Sequence, residues 1–481
     1  MSNQRERIHI PHFEPLALEP RAEQAHASEK EPLTRQRKGL TLRALSLSLL
    51  LGGSLPFLGL LAACAGAPPP AAPPPAPSAA PTLRALSAAP APALPPPAQP
   101  APLPVGDPAA EGIDPAQLAA LVERAAATSS DALVILKNGK LVGEWYFGKP
   151  RTPIETMSVT KSVVGLAVGL LIDEGKVASL DVPIYGLFPE WNQGKKRAIT
   201  LRHLVDHTSG LQVDTVQEIY ASPDFVKLAL AAELSEDPGS RFLYNNKAVN
   251  LLAGVVQAAS GERLDRFLDR TLFQPIGIRE HEWELDKAGN PHGMSGLGLH
   301  PVDLARIGQL MLGRGAWGGA RVLSQDWVEA STRPDQPLSP TNSLLWWLIP
   351  EWTKRTIDNA LLEQWRGGGV DPVFLRKMTP LAGRVFGSDA ELGAALQAAL
   401  KTDFALLRAY LEKHKLPGPR KLTGPILGYR AEGWLGQYLV VLPAAQLVAV
   451  RMRRYPENEA EVGDMEKGFG DFESMVRKLP R

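Results

Sequence analysis

The chain has 481 residues, a formal net charge of +1, and charged side chains at 21% of its positions. This near-neutral balance, with no run of Lys and Arg in the part expected to fold, argues against a nucleic-acid partner. Cys64 is the only cysteine, so the sequence excludes an intramolecular disulfide and a thiolate metal site. The length allows a large hydrophobic core in one or two domains.

Residues 1–64 are typical of an export signal. A polar segment that ends in basic residues precedes an apolar run over about 42–63, which closes on Leu61-Ala62-Ala63-Cys64. This tetrapeptide resembles the bacterial lipobox, whose cysteine is lipidated and becomes the new N-terminus. A single membrane-anchoring helix is the alternative, although two glycines and a proline interrupt the run. The polar segment is unusually long, and we expect translation to start downstream of Met1.

Residues 65–107 are almost wholly Pro and Ala, with few side chains large enough to build a core. Such a segment is an extended, semi-rigid tether. We therefore expect an exported protein of the bacterial cell envelope. Lipidated Cys64 would anchor its folded domain, residues 108–481, to a membrane, facing the periplasm or the cell exterior.

The pattern of the folded part favours an α+β domain. Asp114-Pro115 is a helix start, and Asn138-Gly139 between two apolar runs is a strong hairpin signal. Amphipathic helices are expected over 251–273 and 469–479, and two strands about the turn at 443–445. Because strands lie at both ends of the domain, the ends should meet in one antiparallel sheet flanked by helices, with a helical lobe beside it.

The spacing Ser158-x-x-Lys161 marks a candidate nucleophile and its base. Residues three apart on a helix share a face, so a helix that begins at Ser158 would place the Lys161 amine beside the hydroxyl. The helix end would favour the alkoxide, and loss of water would lower the pKa of Lys161. Apolar residues nearly all round 163–172 predict a buried helix. Taken alone, the pair is also compatible with an ordinary helix start.

Tyr244 and Asn246 are the candidate partners of this pair. Of the 8 tyrosines, only Tyr244 is followed two residues later by Asn. A phenol near an amine can be kept partly ionised, so Tyr244 could relay a proton from Ser158 to a leaving group. Asn246 would contact substrate or orient Lys161. We expect this motif on an interhelical loop, and a turn with a solvated tyrosine is the alternative.

The stretch Gly433-Trp434-Leu435-Gly436-Gln437 opens the C-terminal hairpin and is the candidate for backbone donors. Acyl transfer needs amides aimed at a developing oxyanion, and the glycines would let a substrate approach the backbone. A structural bulge is the alternative.

His203 and His207 lie four residues apart, with Asp206 between them, and this spacing is compatible with a metal site. The glutamate of H-E-x-x-H is missing, and no third ligand is near in sequence. We expect neither a metal nor a cofactor, and the family resemblance described next implies that the segment is a structural helix and turn.

Several motifs together resemble the serine β-lactamase and DD-peptidase superfamily: MSVTKS, LRHLVDHTSGL, YNN, SGLGLHPVDLARIGQLML and GWLGQYLVVLP. They look most like the class C-related branch, which includes family VIII esterases and 6-aminohexanoate-dimer hydrolases. The resemblance covers about residues 112–454. It implies Ser158 as acylated nucleophile, Lys161 as its base partner, Tyr244 as second base and Asn246 as substrate contact.

The resemblance also implies an oxyanion hole made of the backbone amides of Ser158 and Gln437, with Trp434 and Gly436 bordering the substrate. β-Lactam-directed members carry Lys-Thr-Gly where this chain has Trp434-Leu435-Gly436. Without a cation or hydroxyl there, a substrate carboxylate loses its charge-assisted hydrogen bonds. A neutral ester or a small linear amide therefore suits the site better than a penicillin or a peptidoglycan stem.

About 80 residues, from 349 to 431, separate Trp346-Trp347 from Gly433 where the family has a short connection. We expect either a lid over the cleft entrance or a peripheral decoration. The expected function is an exported serine hydrolase that cleaves ester or small amide bonds. A β-lactamase or DD-peptidase is the alternative enzyme, and a non-catalytic envelope binding or sensor protein with a retained fold is the alternative outside enzymes.

Overall fold

The computed structural model describes residues 102–456 and 466–481. The expected export signal, Cys64 and most of the Pro/Ala tether lie outside the described residues. Within the described ranges, no helix combines the length and apolar character needed to cross a bilayer.

The strands and helices follow in chain order. The strands are β1 (Ala132–Lys137), β2 (Lys140–Trp145), β3 (Ile154–Glu155), β4 (His281–Trp283), β5 (Leu297–Leu299), β6 (Ala316–Trp317), β7 (Ala320–Arg321), β8 (Asn342–Ser343), β9 (Trp346–Pro350), β10 (Thr353–Thr356), β11 (Val385–Phe386), β12 (Arg420–Thr423), β13 (Ile426–Gly433), β14 (Gln437–Leu442) and β15 (Leu447–Met452). The helices are α1 (Pro115–Ala127), α2 (Val159–Asp173), α3 (Leu201–Val205), α4 (Val216–Ala221), α5 (Phe225–Ala231), α6 (Asn246–Ser260), α7 (Leu264–Leu268), α8 (Gln274–Ile276), α9 (Pro301–Leu312), α10 (Gln325–Ser331), α11 (Asn359–Gly367), α12 (Pro372–Met378), α13 (Asp389–Leu400), α14 (Asp403–Lys413) and α15 (Phe472–Val476).

A seven-stranded antiparallel sheet organises the domain, in the order β2-β1-β15-β14-β13-β9-β8. The first strand of the domain pairs with its last, so the prediction that the chain ends meet in one sheet is confirmed. The fold is the expected α+β arrangement of the β-lactamase and transpeptidase type.

Alternate residues of each strand face two separate cores, as the two-residue period of a strand requires. Val134 and Leu439 join the core that contains α2 and α9, whereas Leu133 and Val440 join a second core with α1 and α15. The sheet is therefore covered on both faces.

Local sequence explains the first elements of the domain. The Asp114 side chain accepts hydrogen bonds from the amides of Ala116 at 2.8 Å and Gln117 at 3.0 Å, and so caps α1. Asn138 and Gly139 have φ values of 52° and 74°, the left-handed pair that a tight two-residue hairpin needs. Both predictions are confirmed.

Helix α2 is buried along nearly its whole length, from Val159 to Leu171, as its apolar pattern predicts. It packs between the sheet and α6, so the residue before it, Ser158, lies where the sheet meets the helical lobe.

The helical region predicted over 251–273 has different boundaries. Helix α6 begins at Asn246, capped by the Asn245 side chain, which accepts from the Ala248 amide at 3.1 Å. It ends where Gly261 turns left-handed with φ 80°. Tyr244 therefore comes just before a helix start, and Asn246 is its first residue. In the predicted closing helix over 469–479, only Phe472–Val476 is helical.

The insertion is shorter than the sequence suggested. Strands β9 and β13 pair directly, so Ile349 and Ala431 belong to the main sheet and the inserted segment runs from 351 to 425. It contains helices α11 to α14 and a three-stranded sheet, β11-β10-β12. A core of its own, which includes Trp365, Met378 and Phe386, makes it a small folded unit.

Candidate active site

Ser158 and Lys161 lie side by side at the start of α2. The Lys161 Nζ atom is 2.9 Å from the Ser158 Oγ atom and donates a hydrogen bond to the Met294 carbonyl at 2.7 Å. Ser158 takes the cap position with φ −69°, and the residue before it, Met157, is left-handed with φ 49°. This sharp entry into the helix turns the hydroxyl toward the lysine one helical turn further along.

Lys161 is 3% exposed, and burial lowers the pKa of its amine from 10.5 to about 7. No carboxylate in the described ranges lies within ion-pair distance of Nζ, so nothing compensates the ammonium. Desolvation, the cause that the sequence suggested, accounts for the lowered pKa. Much of the amine is therefore neutral near pH 7 and can accept a proton.

The carbonyl that holds Lys161 is itself fixed by α6. The Met294 amide donates to the Oδ1 atom of Asn250, a side chain that is 1% exposed, at 2.9 Å. Sequence reasoning missed Met294 and Asn250. A backbone acceptor leaves no residue-type signal, and Asn250 is a polar residue within an apolar helix pattern.

Tyr244 lies against the same serine. The Lys161 Nζ atom is 5.0 Å from the centre of the Tyr244 ring, and the phenol interacts with the Ser158 hydroxyl. The residue keeps 37% of its surface exposed, yet desolvation around the hydroxyl raises the pKa of the phenol above its ordinary value. The hydrogen bond to Ser158 acts the other way but is weaker. Tyr244 is therefore a protonated phenol, not the partly ionised group that the sequence suggested.

His207 completes this corner of the cleft. Its ring lies 4.6 Å from the Tyr244 ring, and its Nδ1 atom accepts a hydrogen bond from the Asn245 amide at 3.1 Å. Burial, aided by the Lys161 charge, lowers the pKa of His207 to about 3, so the imidazole stays neutral with its proton on Nε2. The sequence assigned this residue to a structural turn, whereas the structure brings it into the site.

His203 and Asp206, the other two residues considered as metal ligands, make hydrogen bonds to the backbone. The His203 Nδ1 atom accepts from the Thr200 amide at 3.1 Å, and the Asp206 Oδ1 atom accepts from the Leu344 amide at 3.2 Å. Among the described residues, no group of three or more potential metal ligands is found.

The cleft beside Ser158 is bordered by residues from the start of α2, from the helical lobe and from the segment around β8 and β9. They are Ser158, Lys161, Ser162, Val205, Asp206, His207, Phe242, Tyr244, Asn342, Ser343, Leu344, Leu345 and Trp347. Leu344 and Leu345 are left-handed, with φ 40° and 69°, and the Ser162 hydroxyl donates to the Leu345 carbonyl at 2.7 Å. None of the lining residues comes from the insertion.

Asn246 stands at the first position of α6, two residues after Tyr244. Its side-chain Oδ1 atom is buried and has no hydrogen-bond partner among the residues that the structure describes. The amide is therefore not committed to Lys161, whose nitrogen bonds Ser158 and Met294 instead.

The β13–β14 hairpin approaches Ser158 through Gly433. A Cβ atom on Gly433 would lie 2.9 Å from the Ser158 nitrogen and 2.7 Å from the Thr156 carbonyl, so only glycine fits there. The next amide along the chain is that of Trp434. Within the described part of the chain, neither the Ser158 nor the Trp434 N–H donates to a backbone carbonyl outside its own element.

Gln437 is placed differently from what the sequence suggested. It is fully buried, and its side chain donates to the Arg453 carbonyl and accepts from the Arg453 amide at 3.0 Å. Gly436, with φ 78°, packs against Gly468 and Arg451. Gln437 is the first residue of β14, whereas the hairpin contacts the Ser158 backbone four residues earlier, at Gly433.

Trp434 itself is half-buried, with its ring 5.7 Å from the Tyr455 ring. The strand that runs past Ser158 ends in Ala431-Glu432-Gly433, so neither this strand end nor Trp434–Gly436 supplies a lysine or a hydroxyl. A serine beside a desolvated amine and a phenol, with a glycine of the neighbouring strand against its backbone nitrogen, is an arrangement that suits nucleophilic catalysis.

Comparison with known proteins identifies the family. The Beta-lactamase family model matches residues 118–465, and the chain belongs to this family of hydrolases. It is 28% identical over 240 residues to the 6-aminohexanoate-dimer hydrolase of Paenarthrobacter ureafaciens, covering 44% of this chain and 59% of the relative. It is 29% identical over 212 residues to esterase EstB of Burkholderia gladioli, covering 36% and 54%. The matches thus span little more than half the length of these relatives.

Solved structures share the fold at low sequence identity. A Bacillus anthracis protein provisionally described as a 6-aminohexanoate-dimer hydrolase has a TM-score of 0.52 at 18% identity, covering 80% of this chain and 90% of its own. A Bacteroides dorei protein provisionally described as a beta-lactamase has a TM-score of 0.54 at 16% identity, covering 76% and 99%. These likenesses support the fold and say nothing of the substrate.

Proposed function

We propose that this protein cleaves neutral esters or small linear amides through an acyl-Ser158 intermediate. The observation that carries the proposal is the 2.9 Å approach of the desolvated Lys161 amine, with its pKa near 7, to the Ser158 hydroxyl. The names of the two relatives, an amide-dimer hydrolase and an esterase, agree with this class of substrate.

In the acylation step, neutral Lys161 takes the Ser158 proton as Oγ attacks the substrate carbonyl. The negative charge that develops on the carbonyl oxygen is bound by the N–H groups of Ser158 and Trp434. We assign the second donor to Trp434 rather than Gln437, because the hairpin meets the serine at Gly433.

Tyr244 donates its phenol proton to the leaving alcohol or amine, and the Lys161 ammonium then returns a proton to the phenolate. In deacylation, Lys161 takes a proton from water as the hydroxide attacks the acyl carbonyl. Lys161 then gives that proton back to Ser158 as the ester bond breaks. The protein ends each cycle with a neutral lysine and a protonated tyrosine.

The substrate class follows from what borders the serine. The cleft is lined by Trp347, Leu344, Leu345 and Phe242, and the strand end beside Ser158 offers no cation. A substrate carboxylate held there would lose water without gaining a charge-assisted hydrogen bond. Neutral acyl groups avoid this loss.

The test uses the chain from residue 108 onward and its Ser158→Ala variant. Each protein is assayed with a short-chain nitrophenyl ester and with a chromogenic cephalosporin. Ester turnover that the substitution abolishes, with an acyl adduct on Ser158 by mass spectrometry, is the expected result. Cephalosporin turnover without ester turnover would instead favour a β-lactamase. Absence of turnover and adduct with both substrates would favour a non-catalytic binding protein.

We also propose that the protein is exported and lipid-anchored through Cys64, so that this chemistry takes place in the cell envelope. The support is the lipobox-like tetrapeptide and the Pro/Ala-rich tether in the sequence. Metabolic labelling with a palmitate analogue should mark the full chain and not its Cys64→Ala variant. Equal labelling of both would overturn the anchor.

A further inference from the structure

A buried arginine lies directly behind the turn that carries Trp434. Arg451, on β15, is fully buried. Its guanidinium donates to five acceptors: the Ser130 hydroxyl at 2.8 Å, and the carbonyls of Leu435 at 2.5 Å, Gly436 at 2.8 Å, Thr128 at 2.8 Å and Lys467 at 2.9 Å.

None of these acceptors is a carboxylate, and no carboxylate of the described ranges lies within ion-pair distance of Arg451. A cation buried among neutral dipoles is a costly way to fill space, because an apolar side chain of similar volume avoids the desolvation. Burial indeed lowers the pKa of Arg451, to about 9, which still leaves the group charged at neutral pH. What a guanidinium provides here, and a hydrocarbon cannot, is a rigid planar set of donors.

The turn that it binds needs such support. Leu435 has φ 66° and Gly436 has φ 78°, two successive left-handed residues, and the left-handed region is unfavourable for leucine. A single Arg451 nitrogen, Nη1, bonds both carbonyls of this strained pair. On its other side the guanidinium bonds Thr128 and Ser130, in the segment between α1 and β1, and the carbonyl of Lys467.

We propose that Arg451 is a positioning residue that fixes the Trp434-Leu435-Gly436 turn and thereby aims the Trp434 amide at the substrate oxygen. Arg451 lies on the face of the sheet opposite α2 and contacts no part of the cleft. It acts only through the backbone of the turn. This inference rests on the proposed acyl-Ser158 reaction, with Trp434 as the second oxyanion donor.

The test compares Arg451→Lys and Arg451→Met with Arg454→Met as the matched control. Arg454 is a neighbouring arginine that bonds the Asp131 carboxylate at 3.0 Å and does not touch the turn. Thermal melting first establishes that each variant folds. Steady-state rates with a short-chain nitrophenyl ester, and the rate of Ser158 modification by a fluorophosphonate, are then measured.

Loss of an oxyanion donor lowers kcat roughly 100- to 1,000-fold. A Trp434 amide that is present but wrongly oriented should therefore lower kcat by about 10- to 100-fold. We expect this loss in kcat for Arg451→Met with KM unchanged within about threefold, and a matching loss in phosphonylation rate. Arg451→Lys, which keeps the charge but has only three donors, should recover part of the rate. Arg454→Met should keep the parent kcat.

Two outcomes would overturn the inference. One is a folded Arg451→Lys or Arg451→Met variant with parent kcat. The other is a loss of kcat that Arg454→Met shows to the same extent, because general destabilisation would then explain it. Failure of the proposed function is distinguishable, since the parent protein itself would then show no turnover sensitive to Ser158→Ala.

Discussion

The rate of ester hydrolysis should rise with pH along a limb set by Lys161. Only the neutral amine can take the Ser158 proton, and burial lowers its pKa from 10.5 to about 7. At pH 7.5 a lysine with a pKa of about 7 is roughly three-quarters neutral, whereas one at 10.5 is about 0.1% neutral, a gain of roughly 750-fold. We therefore expect kcat/KM to increase through an apparent pKa near 7 and to level off above pH 8.

The assay is kcat/KM for a neutral nitrophenyl ester between pH 5 and 9, with the Ser158→Ala variant as the blank at each pH because such esters hydrolyse spontaneously in base. Tyr244, whose phenol pKa is raised, should add no limb in this range. A kcat/KM that is still rising steeply at pH 9 would refute the reasoning, because Lys161 would then be charged at neutral pH and unable to act as base.

The remaining predictions concern other parts of the same machinery. Gly433→Ala should destabilise the protein by about 1–3 kcal/mol in urea unfolding and lower kcat, because its Cβ meets the Ser158 nitrogen at 2.9 Å. Gly393→Ala, in the interior of α13 with nothing within 4 Å, is the control, and it should stabilise the protein by about 0.5–1 kcal/mol with kcat unchanged. Tyr244→Phe should lower kcat by about 100- to 10,000-fold with little change in KM, and an unchanged kcat would remove Tyr244 as the proton donor. In urea unfolding, Lys161→Met should be more stable than the parent. Its advantage should be about 2 kcal/mol larger at pH 7 than at pH 9, because the parent gains stability as pH rises from the folded pKa of about 7 toward the unfolded value of 10.5; pH-independent stabilities would contradict the lowered pKa. The insertion contacts the rest of the domain through lysines: Lys415 bonds Glu236 at 3.1 Å, and Lys421 bonds the Thr341 hydroxyl at 2.8 Å. If the insertion acts as a lid, replacing both lysines by Met should alter the preference for acyl chain length. An unchanged preference would make the insertion a peripheral decoration.

Residue types and spacing anticipated the parts of the fold that depend on local rules. The capped start of α1, the Asn138-Gly139 hairpin and the buried α2 each follow from short-range preferences that the packed structure does not override. The adjacency of Ser158 and Lys161 also follows from helical spacing alone.

Long-range features were not accessible in the same way. The ends of the insertion depend on the pairing of β9 with β13, and an apolar strand residue such as Ile349 looks the same on either side of that boundary. The protonation of Tyr244 depends on how much water packing removes from its hydroxyl. The choice of Trp434 over Gln437 depends on which residue of a hairpin turn passes the serine, and backbone amides carry no mark in a sequence.

The two ends of the described domain leave it at almost the same point. The Asp114 amide bonds the Leu479 carbonyl at 2.8 Å, and the Arg481 amide bonds the Gly112 carbonyl at 3.0 Å. A short peptide joining these ends would span little distance, so the domain is suited to circular permutation, with new termini opened at an exposed loop of the insertion such as that around Gly418. A reporter fused after Arg481 would likewise emerge beside Gly112, on the face of the sheet away from Ser158.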